Sequence, residues 1–62
     1  MKVKEIIKLI EQEGWSLERI NGSHRHYSHP FRKGIVTVPG KLSSDVAIGT
    51  LKSIYKQAGI KK

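Results

Sequence analysis

The sequence predicts a small α+β domain in the order α-β-β-β-α, with a three-stranded antiparallel sheet and both helices on one of its faces. Three observations carry this. Val3, Ile6, Ile7 and Ile10 recur at the i, i+3, i+4, i+7 spacing of an amphipathic helix. Three short β-prone runs follow, each bounded by turn residues, and a second helical stripe closes the chain. A sheet this small cannot bury both faces, so one is covered by the helices and the other is left to water. The 62 residues make a single domain, 1–62, and a chain of that size buries only about 60% of the surface it exposes when unfolded.

The first helix reads as residues 2 to 13, with Leu9 widening its stripe and Gly14 ending it, because a left-handed residue after the last turn suits glycine. Its glutamates, Glu5 and Glu11 among them, read as a solvated outer face. Trp15 to Ile20 alternates imperfectly, with Trp15 and Leu17 on one side and Ser16 and Glu18 on the other, and is taken as the first strand. Asn21-Gly22-Ser23 is the turn, since Asn-Gly tolerates the positive φ of a tight hairpin. The second strand runs from His24 or Arg25 to His29 and stops at Pro30, which has no N–H to donate. Its pleat places His24, His26 and Ser28 on one face and Arg25, Tyr27 and His29 on the other. Phe31-Arg32-Lys33-Gly34 forms a basic loop, and Ile35-Val36-Thr37-Val38 the third strand, broken by Pro39-Gly40.

The last helix is expected to start at Ser43 or Ser44 as cap, with Asp45 in its first turn, where the helix dipole favours negative charge. Ala47, Leu51, Ile54, Tyr55 and Ala58 form its stripe. Gly49 implies close approach to a neighbour, and Gly59 ends the helix with Ile60 folded back on Tyr55. Neither a signal peptide nor a membrane-spanning run is expected, and the absence of cysteine suits a reducing cytoplasm.

Charge is unevenly spread. Residues 1 to 18 hold three Lys against four Glu, net −1, while residues 19 to 62 hold six Lys and three Arg against Asp45, net +8. Such a field favours polyanions, with nucleic acid first and an acidic protein second. Arg25, Arg32 and Lys33 gather at the hairpin, whereas Lys41, Lys52 and Lys56 lie before and along the second helix, and the six are candidates for RNA phosphates. Aromatic platforms are few: Tyr27 and Tyr55 read as core, leaving Phe31 and Trp15 to reach a base.

All three histidines fall within six residues, which invites a zinc reading. The pleat sets His29 opposite the other two, and no cysteine or nearby carboxylate completes four ligands, so no metal and no cofactor are assigned. His26 and His29 read as surface strand residues. His24 stands beside the turn in the basic part of the chain. RNA supplies its own nucleophile, the 2′-hydroxyl, so cleavage by internal transesterification needs little beyond a proton-transfer group and cations. On spacing alone such a ring is more often inert than catalytic. The order of elements is also that of the double-stranded-RNA-binding domain, an analogy of fold only.

Gly22-Ser23-His24-Arg25-His26-Tyr27-Ser28-His29-Pro30, then Val36-Thr37-Val38-Pro39, then Gly49-Thr50-Leu51-Lys52-Ser53-Ile54-Tyr55-Lys56-Gln57-Ala58-Gly59-Ile60 together resemble the HicA (YcfA-like) toxin family over almost the whole chain. The resemblance implies an mRNA interferase of a type II toxin–antitoxin pair, a double-stranded-RNA-binding-like fold, and a HicB antitoxin that masks the active site. The protein is then a monomer when free or part of a hetero-oligomer with that antitoxin. The family's catalytic histidine falls on His24. Many members carry a histidine just after the Val-Pro pair, where this chain has Gly40-Lys41, and Lys41 reads as a cationic substitute. The rival readings are a double-stranded-RNA-binding module that does not cut, and a protein-interaction domain whose basic surface serves an acidic partner.

Overall fold

The computed structural model describes residues 1–60; the Lys61-Lys62 tail lies outside them. Helix α1 spans Val3–Gln12, strands β1, β2 and β3 span Ser16–Asn21, His24–Ser28 and Val36–Val38, and helix α2 spans Ile48–Ala58. The sheet is antiparallel in the order β1-β2-β3. Val3, Ile6 and Ile10 of α1 pack with Ile54 and Ala58 of α2 against Tyr27, Val36 and Val38, so both helices cover one face and the other is open, as the sequence predicts.

Both helices end in the same way. After α1, Gly14 turns left-handed at φ 99°, its N–H donates to the Glu11 carbonyl and that of Trp15 donates to Ile10. After α2, Gly59 at φ 73° donates to Lys56 and Ile60 donates to Tyr55. This is the Schellman pattern, in which the residue after the glycine returns an apolar side chain to the helix. Here that residue is Trp15 in one case and Ile60 in the other, and both pack on the core. Trp15 is 2% exposed and its Nε1 donates to the Ala58 carbonyl at 3.3 Å, satisfying an oxygen that the end of α2 leaves without a helical partner. Trp15 therefore lies outside β1, and it cannot reach a base as the sequence suggested.

The start of α2 differs from the expectation at Ser43 or Ser44. Those residues form a turn, with Ser44 N–H donating to Lys41, and the carbonyls of Leu42 and Ser44 serve α1 instead. Val3 N–H donates to Ser44 at 2.9 Å and Lys4 N–H to Leu42 at 3.1 Å, while Val46 N–H donates to Met1 at 3.0 Å. The first N–H groups of a helix have no internal acceptor, and this segment supplies one for two of them. Asp45 is thus held beside Lys2, by a backbone bridge and a 3.4 Å ion pair, rather than in a helical turn. Helix α2 begins at Ile48 without a side-chain cap, and Ala47 is exposed rather than part of the stripe. Glu5 also has a structural part, accepting the Lys2 N–H at 2.7 Å as one half of a capping box.

The hairpin uses Gly22-Ser23 alone as its loop, with Asn21 paired to His24 as the last residue of β1. Only Gly22 takes positive φ, 64°, which is the II′ pattern with glycine at the first central position. Ile35 is 42% exposed and precedes β3. Gly49 does not mark a close approach, for nothing lies within 4 Å of where its β-carbon would stand.

Two glycine substitutions should move stability in opposite directions. Gly49→Ala should raise it by about 0.4–1 kcal/mol, since the site is helical and open. Gly14→Ala should lower it by more than about 1 kcal/mol, because φ is positive and the new β-carbon would meet His29 Nε2 at 2.6 Å. Urea unfolding midpoints of the two variants read both.

Candidate active site

The three histidines are in three different states. His29 packs its ring edgewise on Trp15, centroids 5.1 Å apart, and both of its nitrogens are engaged. Nδ1 accepts the Phe31 N–H at 3.0 Å, so the hydrogen sits on Nε2, which donates to the Glu13 carbonyl at 2.9 Å. His29 is a strut between the exit of β2 and the end of α1. His26 is half-buried on the open face, its Nδ1 3.0 Å from Thr37 Oγ1 on β3, with no protein partner at Nε2 among the described residues. His24 is exposed at the first position of β2, and its ring makes no hydrogen bond among the described residues. His24 and His26 share the open face while Tyr27 is buried on the other, as the pleat predicts. No three His, Cys, Asp or Glu side chains gather in a metal-holding group among the described residues.

Arg25 lies on the covered face, half-buried, and Nη1 donates to the Gly40 carbonyl at 3.1 Å. That bond draws the Pro39-Gly40 bend toward the Gly22-Ser23 loop. Between them opens a cleft of about 460 Å³ lined by Gly22, Ser23, Arg25, Gly40, Lys41, Leu42 and Ser43. Arg25 and Lys41 are therefore brought together at the end of the sheet where β2 begins, next to His24 in sequence but with Arg25 facing the opposite side. Arg32 and Lys33 are not with them. Both are exposed in the loop at the far end of β2, where the Arg32 guanidinium lies over Gly59, with Cζ 2.8 Å from the position of a β-carbon there. Lys52 and Lys56 are exposed on α2, which packs on the covered side of the sheet. Phe31 is 91% exposed, its ring set edgewise to His29 with centroids 6.0 Å apart, and unlike Trp15 it leaves most of its surface open. The Tyr27 hydroxyl is held above its ordinary pKa, first by burial and then by the Glu11 charge, with Arg25 opposing, so it stays protonated at neutral pH.

One cation on the open face was not singled out by sequence. Arg19 pairs across from His26, because β1 carries a bulge between Leu17 and Arg19. Regular alternation from Leu17, which faces Tyr27, would put Arg19 on the covered side with it. The extra residue, Glu18, reverses the phase from there on, sending Arg19 to the open face and Ile20, still 56% exposed, to the side it shares with Arg25. The imperfect alternation of Trp15 to Ile20 was the available signal.

An open sheet backed by two helices, with a histidine pair on the bare face and a basic cleft at its end, defines a small α-β-β-β-α domain of the double-stranded-RNA-binding type. Residues 3–60 match the family model described as the HicA toxin of bacterial toxin–antitoxin systems. The chain belongs to that family. A search of curated proteins gave no match. None of the described helices is long and apolar enough to cross a membrane.

The His29 strut should be separable from any chemistry at the open face. His29→Ala should cost about 1–3 kcal/mol, from two lost hydrogen bonds and the aromatic edge contact. Thermal unfolding measures this.

Proposed function

We propose that the protein is an endoribonuclease of the mRNA interferase type, the toxin of a type II toxin–antitoxin pair, acting in the cytoplasm as a single domain. His24 is its catalytic residue, exchanging a proton with the 2′-hydroxyl or the leaving oxygen of a phosphodiester without a metal. The observation that carries the reading is the position of His24: exposed at the start of β2 on the face the helices leave bare, between Ser23 and Arg25, which line the basic cleft on the other side of the strand, and within the matched family segment. Arg25 and Lys41 take phosphates at the turn end. Arg32 and Lys33 extend the basic track at the other end of β2, and Lys52 and Lys56 extend it along α2, so the bound RNA wraps the edge of the sheet. The partner that silences the toxin is a HicB-type antitoxin covering His24, and the free toxin is a monomer.

His24→Ala should slow cleavage of a labelled transcript in chelator by roughly 10²–10⁴-fold while leaving RNA binding intact, and should abolish growth arrest on induction. An intact transcript with the wild-type chain would favour a module that binds RNA without cutting it. Lys41→Ala should weaken RNA binding at every sequence and lower the slope of log affinity against log salt by about one. Filter binding from low to moderate salt gives that slope.

A further inference from the structure

The nuclease reading uses one histidine, yet two share the open face. His24 and His26 are separated by one residue of β2, so their Cα atoms lie roughly 6–7 Å apart along the strand. That leaves room for a phosphate between two hydrogen bonds of about 3 Å each. His26 is also oriented. Thr37 Oγ1 engages Nδ1 at 3.0 Å, which fixes the ring plane and turns the other nitrogen, Nε2, away from β3. Thr37 is itself held, its N–H donating to Gln57 Oε1 of α2 at 3.4 Å. A surface histidine with no task needs no such support. Across from His26 stands Arg19, exposed and without a carboxylate partner among the described residues. Across from His24 stands neutral Asn21. The charged groups that β1 brings beside the pair are thus Arg19 and the bulged Glu18; β3 brings neutral Thr37, and the helices pack on the other face.

We propose that His26 is the second proton-transfer residue of the site, paired with His24 across one phosphodiester of RNA, with Arg19 holding its non-bridging oxygens. The inference rests on the nuclease reading and extends it. The neutral ring of the pair accepts the 2′-hydroxyl proton as O2′ forms its bond to phosphorus. The P–O5′ bond breaks with its electron pair on O5′, and the other ring, as imidazolium, gives that oxygen its proton. The products are a 2′,3′-cyclic phosphate and a 5′-hydroxyl, and exchange of one proton with water restores the pair. Arg19 meets the charge that grows on the non-bridging oxygens in the transition state.

The test compares wild type, His24→Ala, His26→Gln and Arg19→Ala on a short RNA across pH, with circular dichroism to verify folding. Gln can still bond Thr37 but transfers no proton. His26→Gln should lose roughly 10²–10⁴-fold in kcat and turn a two-limbed pH profile into a one-limbed one. A nucleoside 3′-nitrophenyl phosphate, whose leaving group needs no proton, should restore whichever histidine variant lacks the acid and leave the other slow. Arg19→Ala should lower kcat with little change in KM. Full activity and two limbs in His26→Gln, with His24→Ala inactive, overturn the pair and leave the nuclease reading standing. No cleavage by the wild type overturns both.

Discussion

The fold depends on where Trp15 goes. It follows the left-handed Gly14, turns its ring into the core and donates its indole N–H to the Ala58 carbonyl, the last of α2. A single side chain thus joins the end of the first helix to the end of the second, and the ring of His29 closes against it from the exit of β2. A domain of this size has few buried side chains with which to fix the angle of its helices. The indole supplies both apolar area and a directed bond, which a purely aliphatic core would lack. The opposite end is tied differently, by backbone: carbonyls of Leu42 and Ser44 accept the first N–H groups of α1. The sheet is held between an aromatic clamp at one end and a peptide clamp at the other, and the turn end carrying His24 lies near the second.

That division explains what was legible in the sequence. The helices and strands followed from period and punctuation, as did the left-handed ends at Gly14 and Gly59 and the return of Ile60, because each depends on residues within a few positions. The return of Trp15 after Gly14 did not, since the alternation that follows drew it into the strand. The start of α2 was misread for a long-range reason. Ser43-Ser44-Asp45 is a good local cap, but the Ser44 carbonyl, with that of Leu42 before it, satisfies another helix some forty residues earlier, and local propensity yields to that demand. Gly49 suggested a contact that does not exist. The open face was half legible: the pleat placed His24 and His26 together, whereas His29, read as a surface strand residue, lies one residue beyond β2 and packs on Trp15, and Arg19 was hidden by the bulge at Glu18. One inserted residue cannot be located from alternation in a strand of six, and it reverses every side chain beyond it.

The bulge also accounts for the electrostatics. In regular register Arg19 would fall opposite Arg25 on the covered side, setting two guanidinium groups face to face beside the core. The extra residue exchanges that repulsion for Ile20 against Arg25, and delivers a cation to the face that holds the histidines. Arg25 is then free to bend toward Gly40 and shape the cleft. Positive charge therefore stands on both sides of the turn, Arg19 on one and Arg25 with Lys41 on the other. Under the proposed function, a phosphate chain crossing the end of the sheet meets a cation before and after it passes His24.

The remaining cations answer to a different constraint. Arg32 lies over Gly59, at the end of α2 where the last carbonyls leave partial negative charge, and a cation there stabilises the helix. A side chain engaged this way gives up helix-end stabilisation whenever it turns to a phosphate. Arg25 gives up less, since its bond to Gly40 uses one nitrogen of a guanidinium with several donors. Lys33, Lys41, Lys52 and Lys56 have no carboxylate partner among the described residues and would give up no ion pair to a phosphate. Under the proposed function, affinity for RNA is thus weighted toward the cleft and the lysines. By the same reading the chemistry is confined to the three strand residues that the bulge and the pleat bring to the bare face.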